Sequence, residues 1–354
     1  MHVCIFANSE SIHTVKLVRY LMQQGNRVDV ISFEDGTIEG AGMHFLKTPF
    51  RRSRFRYVFT ILQARRIVRG LKPDLVVAIY LTGYGFLGAM CNTHPFVVMA
   101  LGSDVLITPD QSPSYRTITA ITLKRADGII SVADHITERL LNLGVDPEVV
   151  LTNPIGVDTD IFRQPEPGNP KEGGLIVSTR TLEPQYNVEQ LIECLPVLTG
   201  LKPDARIIII GGGTQYDTFL ERIRDMPAAL PVNMLGWVAL PVLVDVLQRG
   251  QVFVSLSTTD GAPVSLFEAM ACGCFPVVTD IPANRFWIED GKNGFLIPVG
   301  ESKRLAERIS EALDSEDLML RAQSLNRELI REKLELSRTM HVLNRYLQDV
   351  STAC

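Results

Sequence analysis

Two carboxylates eight positions apart, Asp260 and Glu268, lie within the stretch S-T-T-D-G-A-P-V-S-L-F-E-A-M-A-C-G-C-F-P-V-V-T, which runs from Ser257 to Thr279. The uncharged run Gln251 to Leu256 ahead of it reads as a buried strand. Pro263 suits a first helical turn, Gly273 a helix end, and Phe275 to Val278 a resumed strand. A helix that follows a strand of a parallel sheet starts in the crevice at the strand ends. Its first N–H groups, near Val264 to Phe267, lack partners inside the helix and attract a phosphate. A carboxylate only accepts hydrogen bonds and a vicinal diol offers two donors, so Glu268 beside a phosphate points to the ribose of a nucleotide. Arg180 emerges at the end of the apolar run Leu175 to Thr179, where a guanidinium is a permanent bidentate partner for a diphosphate. The plainer alternatives are an acid favouring the helix dipole with a solvated Glu268, and a surface Arg180 paired with Glu183.

The spacing of Asp260 and Glu268 within P-V-S-L-F-E-A-M-A-C-G-C-F-P-V-V resembles the E-x7-E motif of retaining glycosyltransferases, especially their family 4 (glycosyl transferases group 1), with Asp260 replacing the first Glu. The resemblance implies two Rossmann-like domains facing across a cleft, the GT-B architecture, with donor in the C-terminal half and acceptor in the N-terminal half. It implies that Asp260 holds the donor sugar's hydroxyls and Glu268 the ribose, with Ser265, Leu266, Val264 and Gly261 around the phosphates. S-T-R-T-L-E-P-Q-Y-N is similar to the family's G-R-L-x-x-x-K-G segment: Arg180 matches, whereas Gln185 and Tyr186 stand where Lys is usual. L-G-W-V is similar to the loop that meets the nucleobase through Gly236, Trp237 and Val238, the alternative being a buried Trp at a turn. Gly211-Gly212-Gly213 is no dinucleotide fingerprint, because Tyr216 occupies the last glycine position. Its Gly212 reads as a turn glycine with at most a backbone role in the donor site.

In the first half, N-S-E-S-I-H-T opens a helix with Ser11 as candidate N-cap, and His13 or Thr14 is expected to face the cleft. Gly102-Ser103-Asp104 resembles the family's H-G-x-D turn with Leu101 in place of His, so Asp104 either orients the acceptor or caps the following residues. The segment at 153–162 resembles the family's hinge crossover, and N-G-F-L-I-P-V at 293–299 its distal strand. Donors of the UDP or GDP type, a glycan or lipid-linked acceptor, a metal-independent reaction and no further cofactor are what the resemblance implies. A sugar-nucleotide epimerase and a non-catalytic nucleotide-sugar binder are the competing functions.

These residues must be positioned by elements. The chain has 354 residues, more than a single core usually supports, so two domains are expected. Short apolar runs alternate with helical patterns in both halves, which predicts an α/β protein with parallel βαβ units. Strands are expected at 2–7, 27–33, 75–80, 96–101, 128–132 and 149–152, then at 175–179, 205–210, 232–235, 251–256 and 275–278. The Pro- and Gly-punctuated stretch at 164–174 reads as the linker between a domain at 1–163 and one at 175–330, with a helical tail at 331–354 that can cross back. The uncharged run Leu75 to Ser103 is broken by glycines and N-T-H-P, which favours strand, helix and strand over a membrane span. Six scattered cysteines without paired spacing read as buried reduced thiols, and no zinc site is expected. No signal peptide is apparent, and with a net charge of only -5 no global field argues for nucleic acid.

Locally, nine cations and no acid lie between Glu39 and Asp74, interleaved with apolar residues. An amphipathic basic helix carrying Arg51, Arg52, Arg54, Arg56, Arg65, Arg66 and Arg69 suits an anionic membrane surface, the alternative being a solvated face of a packed helix. A cytoplasmic protein, peripheral on the inner face of the membrane, is the resulting expectation.

Overall fold

Residues 1–49, 55–166, 170–226 and 231–353 are described by the computed structural model. They form two compact units, Met1–Pro154 with Thr339–Cys354, and Ile155–Arg338.

In the first unit seven parallel strands are ordered β3-β2-β1-β4-β5-β6-β7. They are β1 (His2–Phe6), β2 (Arg27–Ser32), β3 (Gly42–Phe45), β4 (Leu75–Ile79), β5 (Phe96–Ala100), β6 (Gly128–Ser131) and β7 (Val150–Thr152). The central strands are buried along their length except at His2, as expected where helices cover both faces of a parallel sheet. The uncharged run from Leu75 is β4, the helix Tyr84–Cys91 and β5. Among the described residues no helix is long and apolar enough to cross a membrane. β3 is an element that the sequence pattern does not reveal, because four half-buried residues beginning with a glycine give too short a signal. Asp29 of β2 ties it in. Its carboxylate pairs with His2 Nε2 and His44 Nε2, each at 2.7 Å, and these partners hold its pKa below the usual carboxylate range against the pull of burial.

The second unit repeats the plan with six parallel strands, ordered β10-β9-β8-β11-β12-β13. They are β8 (Leu175–Ser178), β9 (Arg206–Ile210), β10 (Val232–Gly236), β11 (Val252–Ser255), β12 (Phe275–Thr279) and β13 (Phe295–Ile297). One core layer packs Leu191, Ile192 and Leu195 with Leu305 and Ile309; the other packs Leu266, Phe267 and Met270 with Leu247 and Trp287. β8 and β11 are hydrogen-bonded neighbours at the point where strand order reverses. The crevice of this sheet therefore opens between the segments that follow these two strands.

The boundary between the units lies at 154/155, inside the expected hinge segment and ahead of the 164–174 stretch. The described part of that stretch belongs to the second unit and is packed. Lys171 Nζ donates to the carbonyls of Gln248, Gly250 and Cys272 at 3.2, 2.6 and 3.0 Å. These carbonyls close the helices Leu240–Arg249 and Val264–Ala271, so one ammonium caps two helix C-termini. Glu172 pairs with Arg249 and Arg206. Polar composition suggests a linker, yet the charges are matched to helix ends. Of the tail, residues 339–353 belong to the first unit and 331–338 to the second.

Candidate functional site

β8 and β11 each end in a short loop, and the two loops carry Arg180 and Asp260. Arg180 is buried, and its NH2 donates to Asp260 Oδ2 at 2.6 Å while its NH1 donates to Ser265 Oγ at 2.8 Å. The Tyr186 ring covers the guanidinium, with Cζ 4.3 Å from the ring centroid. Glu183, the alternative partner, instead accepts from the Thr214 N–H and hydroxyl. Arg180 Nε, Thr179 Oγ1 and Ser257 Oγ are buried polar atoms without a hydrogen-bond partner among the described residues. Buried polar groups are almost always satisfied, so these three, following two adjacent strands, have hydrogen-bonding capacity left for a bound molecule or water.

The helix Val264–Ala271 begins directly after Pro263, which is its N-cap residue rather than its first helical residue. Fewer amides are available than the sequence suggests. Val264 N–H donates to Ala262 O, and Leu266 and Phe267 N–H both donate to Pro263 O. Gly261 N–H turns back on Asp260 Oδ1 at 2.9 Å. Of the four first-turn amides, Ser265 N–H alone has no backbone acceptor among the described residues. Ser265 thus offers an amide to an anion while its hydroxyl holds Arg180. Glu268, half-buried, is the fifth residue of the same helix.

The glycine turn supports this arrangement from the β9 side. A side chain on Gly211, whose φ is +138°, would meet the Arg180 carbonyl oxygen at 2.4 Å. Leu182 N–H donates to Gly212 O, and a side chain on Gly212 would meet the Trp237 indole at 2.5 Å. These glycines let two strand-end loops touch through their backbones. Trp237 is 74% exposed, which rules out the buried-turn alternative; Gly236 before it takes φ +65°, and Val238 packs against the core.

The first-unit candidates are placed differently. Asp104 is buried, and its carboxylate accepts from the N–H groups of Leu81, Leu101 and Gly102 at 2.8, 3.2 and 2.9 Å. Burial pushes its pKa up against the pull of those amides. Asp104 therefore pins the segments after β4 and β5 and has the shape of a structural staple. His13 lies in the first turn of the helix Ile12–Gln23 with Nδ1 buried and without a hydrogen-bond partner among the described residues. Burial, and then Lys16, lower its pKa, which keeps the imidazole neutral at pH 7. Ser11 takes the N-cap position but its side chain makes no capping bond. Thr14 Oγ1 is a further buried atom without a hydrogen-bond partner among the described residues.

Arg51, Arg52 and Arg54 lie outside the described residues. Arg56 and Arg65 are turned toward the protein: Arg56 NH2 donates to the Tyr57 hydroxyl, with Cζ 4.5 Å from the Phe33 centroid, and Arg65 Nε donates to Met90 O at 2.6 Å. Arg66 and Arg69 are exposed. A charge count along the sequence does not separate these two roles. Five cysteines are buried free thiols, with burial pushing Cys194 up to about 12; the sixth, Cys354, lies outside the described residues. Among the described residues no three His, Cys, Asp or Glu side chains are grouped to hold a metal ion.

The family model described as glycosyl transferases group 1 matches residues 160–329, and that described as glycosyl transferase 4-like matches residues 2–133. The putative glycosyltransferase EpsD of Bacillus subtilis (strain 168) is 28% identical over 174 residues, 46% of this chain and 45% of its own length. The phosphatidyl-myo-inositol mannosyltransferase of Mycolicibacterium smegmatis is 29% identical over 169 residues, 47% of this chain and 43% of its own. The match thus spans less than half the length of either relative. HepE of Anabaena, solved with UDP and glucose, is similar in fold with TM-score 0.81 at 16% identity, covering 99% of this chain and 100% of that one. With one model over the unit that holds Arg180, Asp260 and Glu268 and the other over its companion, the chain belongs to the group 1 glycosyltransferases and has their fold of two Rossmann-like units, GT-B.

Proposed function

We propose that the chain moves a sugar from a nucleoside-diphosphate sugar of the UDP or GDP type to a hydroxyl of a glycan or lipid-linked acceptor, with retention at the anomeric carbon and without a metal. The observation that carries this reading is Arg180, a buried guanidinium at the switch point of the second sheet with its Nε–H uncommitted. As the glycosidic bond breaks, negative charge builds on the leaving diphosphate. A preorganised cation and the Ser265 amide stabilise that charge. Glu268 takes the ribose hydroxyls, and Asp260, aligned by Arg180, takes hydroxyls of the sugar. No carboxylate is placed as a nucleophile in this account, and the departing phosphate oxygen accepts the acceptor's proton.

The names of the relatives support transfer of a sugar, and the Mycolicibacterium relative's name includes a phosphatidylinositol. HepE's complex with UDP and glucose supports a nucleotide-sugar donor. Peripheral contact with the inner face of a cytoplasmic membrane is supported by the exposed Phe59, Leu62, Arg66 and Arg69 on the consecutive helices Arg56–Phe59 and Ile61–Leu71. A second reading, a nucleotide-sugar binder without turnover, is favoured by Gln185 and Tyr186 standing where the family's lysine is usual. Incubation with UDP and GDP sugars in chelator, followed by NMR of the product's anomeric proton, separates the two. Transfer with the donor's configuration kept is expected; donor binding without transfer selects the binder, and an inverted product or metal-dependent turnover contradicts the mechanism.

A further inference from the structure

The unit of Met1–Pro154 with Thr339–Cys354 holds a pocket of about 410 Å³ at the carboxyl ends of its strands. Asn8 follows β1, Glu34 follows β2, Tyr80 follows β4 and Asp104 follows β5, and all four line it. It therefore lies where the strand order reverses between β1 and β4, the place where open parallel sheets bind ligands. Tyr80 takes φ +71°, a conformation that a bulky residue adopts only where its surroundings enforce it, and such positions gather at binding sites.

Two kinds of surface meet in this pocket. Glu34 Oε2 accepts from the Tyr84 hydroxyl at 2.5 Å and from Ser32 Oγ at 3.1 Å, while Oε1 stands 3.5 Å from Arg56 NH1. A carboxylate has about four acceptor positions, so Glu34, fixed in place by these partners, retains capacity for a ligand hydroxyl. Around it stand aromatic rings, with Tyr57 and Tyr84 edge to face at 5.8 Å and Phe86 and Tyr115 farther along the wall. An acid ringed by aromatic faces suits a hydroxylated ring that is polar at its rim and apolar on its faces.

The wall does not end in polar surface. Val58 lines the pocket and is itself 53% exposed, and Phe59 and Leu62 beyond it are 62% and 65% exposed. The short helix Arg56–Phe59 is thus two-faced: Arg56 and Tyr57 turn into the pocket, Val58 lines it while half exposed, and Phe59 turns out. At helical spacing the same stripe continues into Arg66 and Arg69, which are exposed, while Ala64 and Val68 are buried on the opposite side.

We propose that this pocket takes the head of an amphiphilic acceptor. A sugar or polyol head sits on Glu34 among the tyrosines, and its hydrocarbon leaves past Val58 along Phe59 and Leu62 toward an anionic bilayer. The word acceptor rests on the transferase reading above; the amphiphilic ligand class rests on the pocket alone. A purely hydrophilic glycan would use Glu34 and gain nothing from Val58.

Octyl glucoside below its micelle concentration and methyl glucoside serve as probes of the whole chain, by calorimetry and saturation-transfer NMR. Octyl glucoside is expected to bind at least about tenfold more tightly, the gain for about two methylenes leaving water. Val58→Asp is expected to erase that preference; Glu34→Gln is expected to weaken both probes, with circular dichroism reporting the fold. Equal binding of the two glucosides, absence of binding by either, or a preference untouched by Val58→Asp overturns the proposal. UDP and GDP titrated into the same samples keep the two readings apart: lost nucleotide binding with an intact octyl preference sinks the donor site only, and the reverse sinks this pocket only.

Discussion

At the scale of single residues, Arg180 joins Asp260, Ser265 and Tyr186 into one unit, so its effects on a sugar donor should appear in turnover more than in affinity. Arg180→Ala is expected to lower kcat by about 10²–10³, the range for removing one donor that stabilises developing charge. Arg180→Lys recovers little, because one ammonium cannot serve Ser265 and Asp260 with the same planar fork. Steady-state kinetics with native circular dichroism check both. Glu268→Gln is expected to raise the donor KM about tenfold with kcat nearly kept, since the proposed ribose contact would be equal in ground and transition states; unchanged KM removes the assignment. His13 gives a pH signature. Its folded pKa is lowered, so the unfolded chain binds its proton more readily, and its contribution to stability is lost as pH falls below about 6.5. His13→Gln should flatten the acid limb of the melting-temperature profile below about pH 6.5; an unaltered limb contradicts it.

At the scale of elements, Lys171 makes the sharpest prediction. Lys171→Met keeps the aliphatic stem but strips the shared cap from two helices, and should cost the second unit about 2–3 kcal/mol. Hydrogen exchange localised to the ends of Leu240–Arg249 and Val264–Ala271 reads this directly, and uniform protection would contradict it. The same residue shows what sequence can and cannot tell. Strands such as Leu175–Ser178 and Val252–Ser255 are legible because burial on both faces leaves continuous apolar runs. The 164–174 stretch mimics a linker because composition records that a charge is present, not that helix-end carbonyls wait for it. Asp260, Arg180 and Glu268 are legible from type and spacing, whereas the loss of Val264, Leu266 and Phe267 amides to Ala262 and Pro263 depends on cap geometry that spacing does not encode. Nor does a sequence say that Arg56 and Arg65 face inward while Arg66 and Arg69 face out.

At the scale of the whole molecule, both units use one design: a parallel sheet whose order reverses once, with the chemistry placed on loops at the reversal. The second unit sets a guanidinium paired with an acid there; the first sets a tyrosine-lined pocket beside an exposed apolar and basic stripe. The stripe predicts binding to phosphatidylcholine vesicles only when phosphatidylglycerol is included. That binding should weaken with salt and be lost in the double variant Leu62→Glu, Arg66→Glu. Equal binding to neutral and anionic vesicles at low salt would remove the membrane reading and leave the donor site untouched. The proposed donor site is the account's centre. Free UDP or GDP already carries the terminal phosphate charge that an intact donor develops only as its glycosidic bond breaks, so the nucleotide reports on Arg180 by affinity alone. The most direct measurement is therefore a titration of UDP and GDP into the wild-type chain and Arg180→Ala. One nucleotide should bind the wild type and lose at least about tenfold in affinity in the variant, the worth of a charged hydrogen bond. Equal affinity in the two proteins, or no binding of either nucleotide to the wild type, would contradict it.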